Sequence, residues 1–272
     1  MVDQKNAWDS IADGYDEHVT PTHMWLAGEA LRRAGLRAGM RFLDVAAGSG
    51  ALSIPAARLG ARVVSADLSP VMLARLEARA RGEGLTVETR VMDGHALTLD
   101  DATFDVAGSQ FGVMLFPDMP RGIRELARVT RPGGRVLLVA YGPPGQIEFV
   151  RFLVGALQAA VPGFAGLPAE PVPLPFQLQD PERLRGELAG AGLRDVRVET
   201  ITETLQFESG RHLWDWLTNS NPIVRMVLAD LHLTAEQEAV VQRALEDLVR
   251  ERAGGRGPAR LTNPIHIGIG TR

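Results

Sequence analysis

FLDVAAGSGALSIPAARLGARVVSADLSP, residues 42–70, decides the fold. An apolar run (FLDV) meets a small-residue turn holding Gly48 and Gly50. A helical stretch follows, then a second apolar run ends at Asp67. Strand, glycine turn, helix, strand is the opening unit of a parallel α/β sheet, and the turn sets backbone N–H groups at a helix start where they can face a polar ligand. Working outward, further strands are predicted at Leu85–Met92, Phe104–Ser109 and Arg135–Ala140, beside the first two at Met40–Val45 and Ala61–Ala66. Amphipathic helices separate them. Ser69 before Pro70 marks one helix start, and Arg131-Pro132-Gly133-Gly134 marks a stop before the fifth strand. Ile123, Leu126, Ala127 and Arg131 fall on one face of the fourth helix. Repetition of this kind predicts an α/β, doubly wound, mostly parallel Rossmann-like sheet, with its ligand beyond the carboxyl ends of the strands.

Upstream, a polar arm leads into a helix over Trp25–Leu36, ended by Gly35. Downstream, Tyr141 is followed by a helix within residues 142–161 and a loop in which Pro171, Pro173 and Pro175 disfavour a sheet ladder. Asp180 caps a helix beginning at Pro181, and Leu193–Phe207 alternates as a sixth strand through Val196, Val198 and Ile201. Arg211–Arg252 reads as helical, with Thr234 and Gln237 spaced as a capping box and Val241, Leu245 and Leu248 on one face. Pro264–Thr271 alternates as a last strand. The expected division is a lid arm at 1–36, a cofactor core at 37–142, an insertion at 143–180, a core helix and strand at 181–207, a helical insertion at 208–259 and a closing strand at 260–272. Both insertions leave a strand of the parallel set, so both are expected on the ligand side, where a second substrate's pocket is built.

Composition narrows the function classes. The 272 residues contain no cysteine, carry a net charge of −4 and are 45% hydrophobic. Disulfides, thiolate metal sites and cysteine nucleophiles are thereby excluded. No basic run marks a nucleic-acid surface, no apolar stretch approaches a membrane span, and the polar start lacks a signal-peptide core, so a cytoplasmic protein is expected. The histidines His18, His23, His212, His232 and His266 show no ligand spacing, and no metal is expected.

The glycine pair alone does not name the ligand. The third position of a GxGxxG dinucleotide fingerprint is Ser53 here, and an acid, Asp44, precedes the loop. Asp67 closes the second strand, where a carboxylate can accept two hydrogen bonds from the vicinal hydroxyls of a ribose. Asp93-Gly94 follows the third strand, placed to meet an adenine edge, and Ser109-Gln110 follows the fourth. A short-chain NAD reductase would need tyrosine followed four residues on by lysine, but the tyrosines are Tyr15 and Tyr141 and the lysine is Lys5.

WDSIADGYD, LDVAAGSG, VVSADLSPVML, VMDGHAL, FDVAGSQFGVMLFPD and ELARVTRPGGRVLLV together span Trp8–Val139. In these motifs the chain resembles the class I S-adenosylmethionine-dependent methyltransferases, especially the ubiquinone and menaquinone C-methyltransferase-like branch. The resemblance implies a seven-stranded sheet whose last strand runs antiparallel between the fifth and sixth. It implies S-adenosylmethionine as cofactor, with Asp44 near the methionine amino group, Gly48 and Gly50 admitting the cofactor to the backbone, and Asp67 on the ribose. It further places Leu68 and Met72 on the adenine, Asp93 on its exocyclic amine beside Gly94 and His95, Ser109 and Gln110 at the methionine end, and Tyr15 on a closing arm. Ala46-Ala47 departs from the more usual glycine-bearing loop start.

A bound sulfonium already carries an electrophilic methyl group, so the protein's main task is to align an acceptor and exclude water; a general base is needed only if the acceptor loses a proton. His18, His23 and His212 are the candidates for that base. Phe111, Phe116, Tyr141, Phe149 and Phe152 suggest a small, rather apolar acceptor, with oxygen, nitrogen or carbon left open as the methylated atom. Trp214 and Trp216 either line its pocket or anchor the insertion. A catalytically inactive S-adenosylmethionine-binding scaffold stays open as the alternative, and a homo-oligomer is compatible with everything above.

Overall fold

The computed structural model describes residues 2–168, 170–220 and 222–272; Met1, Ala169 and Asn221, which fall in the polar start, the proline-rich loop and the 211–252 stretch, lie outside them. Its centre is one seven-stranded sheet of order β3-β2-β1-β4-β5-β7-β6. The strands are β1 (Arg41–Val45), β2 (Arg62–Asp67), β3 (Val87–Val91), β4 (Phe104–Gln110), β5 (Thr130–Tyr141), β6 (Arg194–Phe207) and β7 (Ala259–Thr271). The first five pair in parallel, and β7 runs antiparallel to both β5 and β6. The last strand thus lies where the resemblance implies. Strands β1 and β4 are buried on both faces, which is why their sequences are nearly unbroken apolar runs.

The helices are α1 (Val2–Asp9), α2 (Ala12–Gly14), α3 (Thr20–Ala34), α4 (Ser53–Arg58), α5 (Pro70–Gly82), α6 (Met119–Val129), α7 (Glu148–Ala160), α8 (Pro181–Gly190), α9 (Gly210–Ser220), α10 (Pro222–Leu231) and α11 (Ala235–Arg252). The caps read from sequence are made: Ser69 accepts from the Met72 N–H at 3.0 Å, Asp180 from Glu182 at 2.9 Å, and Thr234 and Gln237 close a capping box. Differences are local. The polar arm is helical, and a π-helical turn at Tyr15–Val19 joins it to α3. The 211–252 stretch is helical as expected, with a break at residues 232–234 before α11. Residues 131–134 do end α6, yet they continue as strand, because Gly133 N–H donates to the Arg272 carbonyl and Arg272 N–H to the Gly134 carbonyl. Arg131 therefore leaves the helix face expected for it and pairs with Asp105 at 2.7 Å.

Among the described residues two large apolar cores result, with a small third one of Ile11, Ala12 and Met72 under the arm. One packs α3, α6 and α8 against the sheet through Leu26, Leu31, Ile123, Leu126, Leu184 and Leu188. The second is formed by the insertions on each other and on the ends of β6 and β7, through Phe149, Leu157, Phe207, Leu213, Trp216, Val241 and Leu245, with Tyr15 and Tyr141 at its edge. That second core sits against the carboxyl ends of the strands. Among the described residues no helix is long and apolar enough to cross a membrane.

Candidate active site

Strand β1 ends at Val45, and the chain must turn at once to enter α4. Ala46 takes a left-handed φ of +56°, Gly48 one of +53° and Gly50 one of +99°. The two glycines do different work. A Cβ on Gly50 would stand 2.8 Å from Leu76 Cγ, so this glycine allows loop and α5 to pack; around Gly48 only the Tyr15 ring comes near, at 3.8 Å, so its open side faces a cleft. Gly50 was expected to admit a cofactor and instead serves packing.

The cleft, of about 800 Å³, is walled by Ala46, Gly48, Asp67, Leu68, Ser69, Met72, Met92, Gly94, His95, Gln110, Gly112 and Phe116, and closed from above by Gln4, Lys5, Trp8 and Tyr15. Of the residues singled out in the sequence, Tyr15, Ala46, Gly48, Asp67, Leu68, Met72, Gly94, His95 and Gln110 line this one cleft. Asp44, Asp93 and Ser109 stand behind the wall. Asp93 accepts from the His95 backbone at 2.9 Å and lies 2.7 Å from its Nδ1, and Ser109 accepts from the Val113 N–H at 3.0 Å, so both hold loops. Burial pushes Asp93 upward, but its hydrogen bonds from His95 outweigh this and leave its carboxyl below the usual range.

Asp67 anchors the loop. Its Oδ2 accepts from Gly48 N–H and its Oδ1 from Ser69 N–H, both at 2.8 Å. Each carboxylate oxygen has a second lone pair, so both can still accept from a ligand. Burial nonetheless raises its pKa, against the backbone hydrogen bonds of Ser69, Gly48 and Leu68. Asp44 is 1% exposed; its Oδ2 accepts from Ser53 at 2.6 Å, while Oδ1 is buried with no partner. Burial pushes Asp44 up to about 7. The arm is fastened over these groups by Ser69 on Asp9 at 2.5 Å and Arg79 on Asp16 at 2.6 Å.

An open glycine face, a carboxylate with spare lone pairs, a buried carboxylate oxygen lacking a donor and an apolar slot at Leu68, Met72 and Phe116 fit a nucleoside carrying a cationic, amine-bearing tail. Lys5, the one lysine or arginine among the described residues of the wall, is paired with Asp9.

Beyond shared walls at Trp8, Tyr15, Phe111 and Leu115 lies a second chamber of about 480 Å³, completed by Val19, His23, Met114, Tyr141, Pro175 and Trp216. Phe111, itself at φ +58°, stacks on Tyr141 with centroids 4.3 Å apart and planes 16° apart. Phe149 supports this wall from behind, edge-on to Tyr141 and Trp216; Phe152 and Trp214 line neither space. Of the three candidate bases only His23 lines either of these spaces. His18 lies in the π-helical turn outside both, and the His212 ring packs on Phe207 with Nδ1 accepting from Glu208 N–H at 3.3 Å. Not singled out from sequence were Gln4, Lys5 and Trp8, hidden because the arm carries no marked apolar face, and Met92 and Leu115; Phe116, expected on the acceptor wall, lines the cleft.

Residues 43–138 match the methyltransferase domain family model. An uncharacterized protein of Mycobacterium tuberculosis is 32% identical over 254 residues, covering 87% of this chain and 90% of its own. The demethylmenaquinone methyltransferase of Thermus thermophilus is 34% identical over 179 residues, covering 61% of this chain and 79% of its own. In fold, the chain is similar to Haemonchus contortus phosphoethanolamine N-methyltransferase 2, solved with phosphomonomethylethanolamine and S-adenosylhomocysteine, at a TM-score of 0.54 and 18% identity over 91% of this chain and 52% of that one. With this sheet, this loop and these relatives, the chain belongs to the class I S-adenosylmethionine-dependent methyltransferases.

Proposed function

We propose that the cleft holds S-adenosylmethionine and that the chamber behind Phe111 holds a small, rather apolar acceptor of bacterial quinone or secondary metabolism. The carrying observation is the junction of the two spaces: a polar, carboxylate-bearing cleft shares aromatic walls with a chamber lined, among the described residues, by no Arg, Lys, Asp or Glu. The likeness to a demethylmenaquinone methyltransferase supports a ring compound as acceptor.

When bound, the cofactor supplies a methyl group already activated by its sulfonium. Asp67 holds the ribose hydroxyls, with Gly48 leaving room for the tail and Asp44 offering it the unpartnered Oδ1. Leu68, Met72 and Phe116 sandwich the base. Residues 1–36 act as the lid, with Trp8 and Tyr15 over the junction, and the insertions at 143–180 and 208–259 wall the acceptor and keep water out.

The test is transfer from methyl-labelled S-adenosylmethionine to a panel of demethylated quinols, simple phenols and phosphorylated amines, with titration calorimetry of S-adenosylhomocysteine alongside. Label entering the apolar ring compounds is the expected result. Label entering only the phosphorylated amines would overturn the assignment of the chamber, and failure of S-adenosylhomocysteine to bind would overturn that of the cleft.

A further inference from the structure

Strand β6 alternates inward through Ile201, Glu203, Leu205 and Phe207, and one of these four is a carboxylate. Glu203 is 1% exposed. Its Oε2 accepts from Asn263 Nδ2, across the β6–β7 ladder, at 3.2 Å; its Oε1 has no hydrogen-bond partner and lies 3.7 Å from His23 Nε2. His23 is 3% exposed, lines the acceptor chamber and has no hydrogen bond at either ring nitrogen. Its ring packs on Phe111, 4.9 Å between centroids. Burying two titratable groups this deeply without closing a hydrogen bond is costly, and packing alone is served better by apolar residues.

We propose that His23 and Glu203 are a proton-accepting pair for the acceptor chamber, and that the acceptor is a neutral aromatic hydroxyl compound, a phenol, methylated on oxygen. The inference rests on the cleft holding the methyl donor and the chamber the acceptor. The stacked Phe111–Tyr141 wall with Trp216 suits a flat ring. Among the described residues no lysine or arginine lines the chamber to receive a phenolate brought in as an anion, so the hydroxyl enters protonated and must lose its proton inside.

The acceptor's O–H bond breaks, its proton passing to an open ring nitrogen of His23. The oxygen's electron pair forms the bond to the methyl carbon while the methyl–sulfur bond breaks, that pair remaining on sulfur. The positive charge that began on sulfur ends on the His23 ring, facing the Glu203 carboxylate. Burial holds His23 down to about 4, so its ring starts neutral, and holds Glu203 up to about 7, against the Asn263 hydrogen bond, so the carboxylate form prevails only as pH rises above 7. Tyr141 and Tyr15, the other titratable groups at this site, are both raised, chiefly by burial, and stay protonated as donors. His23 is thus the catalytic residue, and Glu203 positions it.

The probe is 4-nitrophenol, whose phenolate is yellow, added to the full chain saturated with S-adenosylhomocysteine and titrated with pH. In the unsubstituted protein the bound probe is expected to ionise about one pH unit below free probe, a tenfold shift. In His23→Gln that shift disappears, and in the isosteric Glu203→Gln, which retains an acceptor for Asn263, it shrinks severalfold; S-adenosylhomocysteine affinity stays within about twofold throughout. Equal shifts in all three proteins, or no probe binding to the saturated protein, would overturn the pair. Loss of S-adenosylhomocysteine binding by the unsubstituted protein would instead refute the cleft assignment on which the pair rests.

Discussion

Asp67→Asn separates what this carboxylate does for the loop from what it does for a ligand. Asparagine keeps the shape but offers one acceptor oxygen where aspartate offers two, so either Gly48 N–H or Ser69 N–H loses its 2.8 Å partner. Hydrogen bonds to a charged group contribute about 1.5–3 kcal/mol each. The ligand-free protein should therefore melt about 3–12 °C lower, at about 2–4 °C per kcal/mol for a chain of this size class. A ribose diol placed on Asp67 loses one of its two charged acceptors as well, a further cost of about 2–3 kcal/mol, or about 30- to 150-fold in affinity. Titration calorimetry with S-adenosylhomocysteine reads this directly, and the 2′,3′-dideoxy analogue is the control. The variant should discriminate against the natural ligand and treat the analogue as the parent protein does. If Asp67→Asn binds S-adenosylhomocysteine within threefold of the parent while its melting point falls, Asp67 is a loop brace and its place on the ribose is refuted.

The two loop glycines should separate cleanly. Gly48→Ala leaves melting within a few degrees yet abolishes measurable S-adenosylhomocysteine binding, whereas Gly50→Ala, driving a methyl toward Leu76, destabilises by about 2–3 kcal/mol and leaves the folded protein's affinity intact; the reverse pattern would mean the open face has been misassigned. For Glu203, an acid raised from 4.5 to about 7 binds its proton more tightly when folded, so its contribution is fully present below pH 4.5 and lost as pH rises through 7. The loss is about 3 kcal/mol at pH 8, so the melting-point advantage of Glu203→Gln over the parent should grow by about 5–10 °C between pH 5 and 8. An offset independent of pH would show that Glu203 ionises normally. Leu245→Ala, in the core between the insertions, should cost about 2–5 kcal/mol in denaturant unfolding. Arg79→Gln, releasing Asp16, should speed S-adenosylhomocysteine dissociation in stopped-flow measurements with little change in melting point, because a partly exposed ion pair contributes at most about 1 kcal/mol; an unchanged rate would mean that Arg79 does not hold the lid.

Where local chemistry settles an element, the sequence is a good guide. Ser69, Asp180 and Thr234 cap helices because a short oxygen-bearing side chain before an apolar period has few other uses, and Pro264–Thr271 alternates because Ile265, Ile267 and Ile269 take one face of β7 while Gly268 and Gly270, on the other, lie against Leu184, Leu188 and Leu193. Cleft residues at strand ends, such as Asp67, Leu68 and Gly94, are legible for the same reason: topology fixes where a parallel strand must end. Long-range partners are not. Residues 131–134 carry every sign of a turn and become strand only because residue 272 returns to pair with them. His18, His23 and His212 look equivalent along the chain, and only the crossing of α3 over Phe111 selects His23. Glu203 did leave a signal, a carboxylate in an inward register otherwise filled by Ile201, Leu205 and Phe207, but the sixth strand lies far in sequence from every motif that announces a ligand.

The place of β7 has a consequence for how the protein is made. The elements that border it are synthesised earlier: α3, then β5, α7, α8, β6 and α11. Until residues 259–271 emerge, β6 has no neighbour in the sheet and β5 presents an unpaired apolar edge, the kind of surface on which nascent chains stick to one another. Cofactor-side elements β1 to β4 can assemble before that moment, whereas Asn263 reaches Glu203 only with the final strand. During synthesis the chain should therefore acquire the cleft at Gly48 and Asp67 first and the chamber behind Phe111 last, with β7 acting as the keystone of the second half.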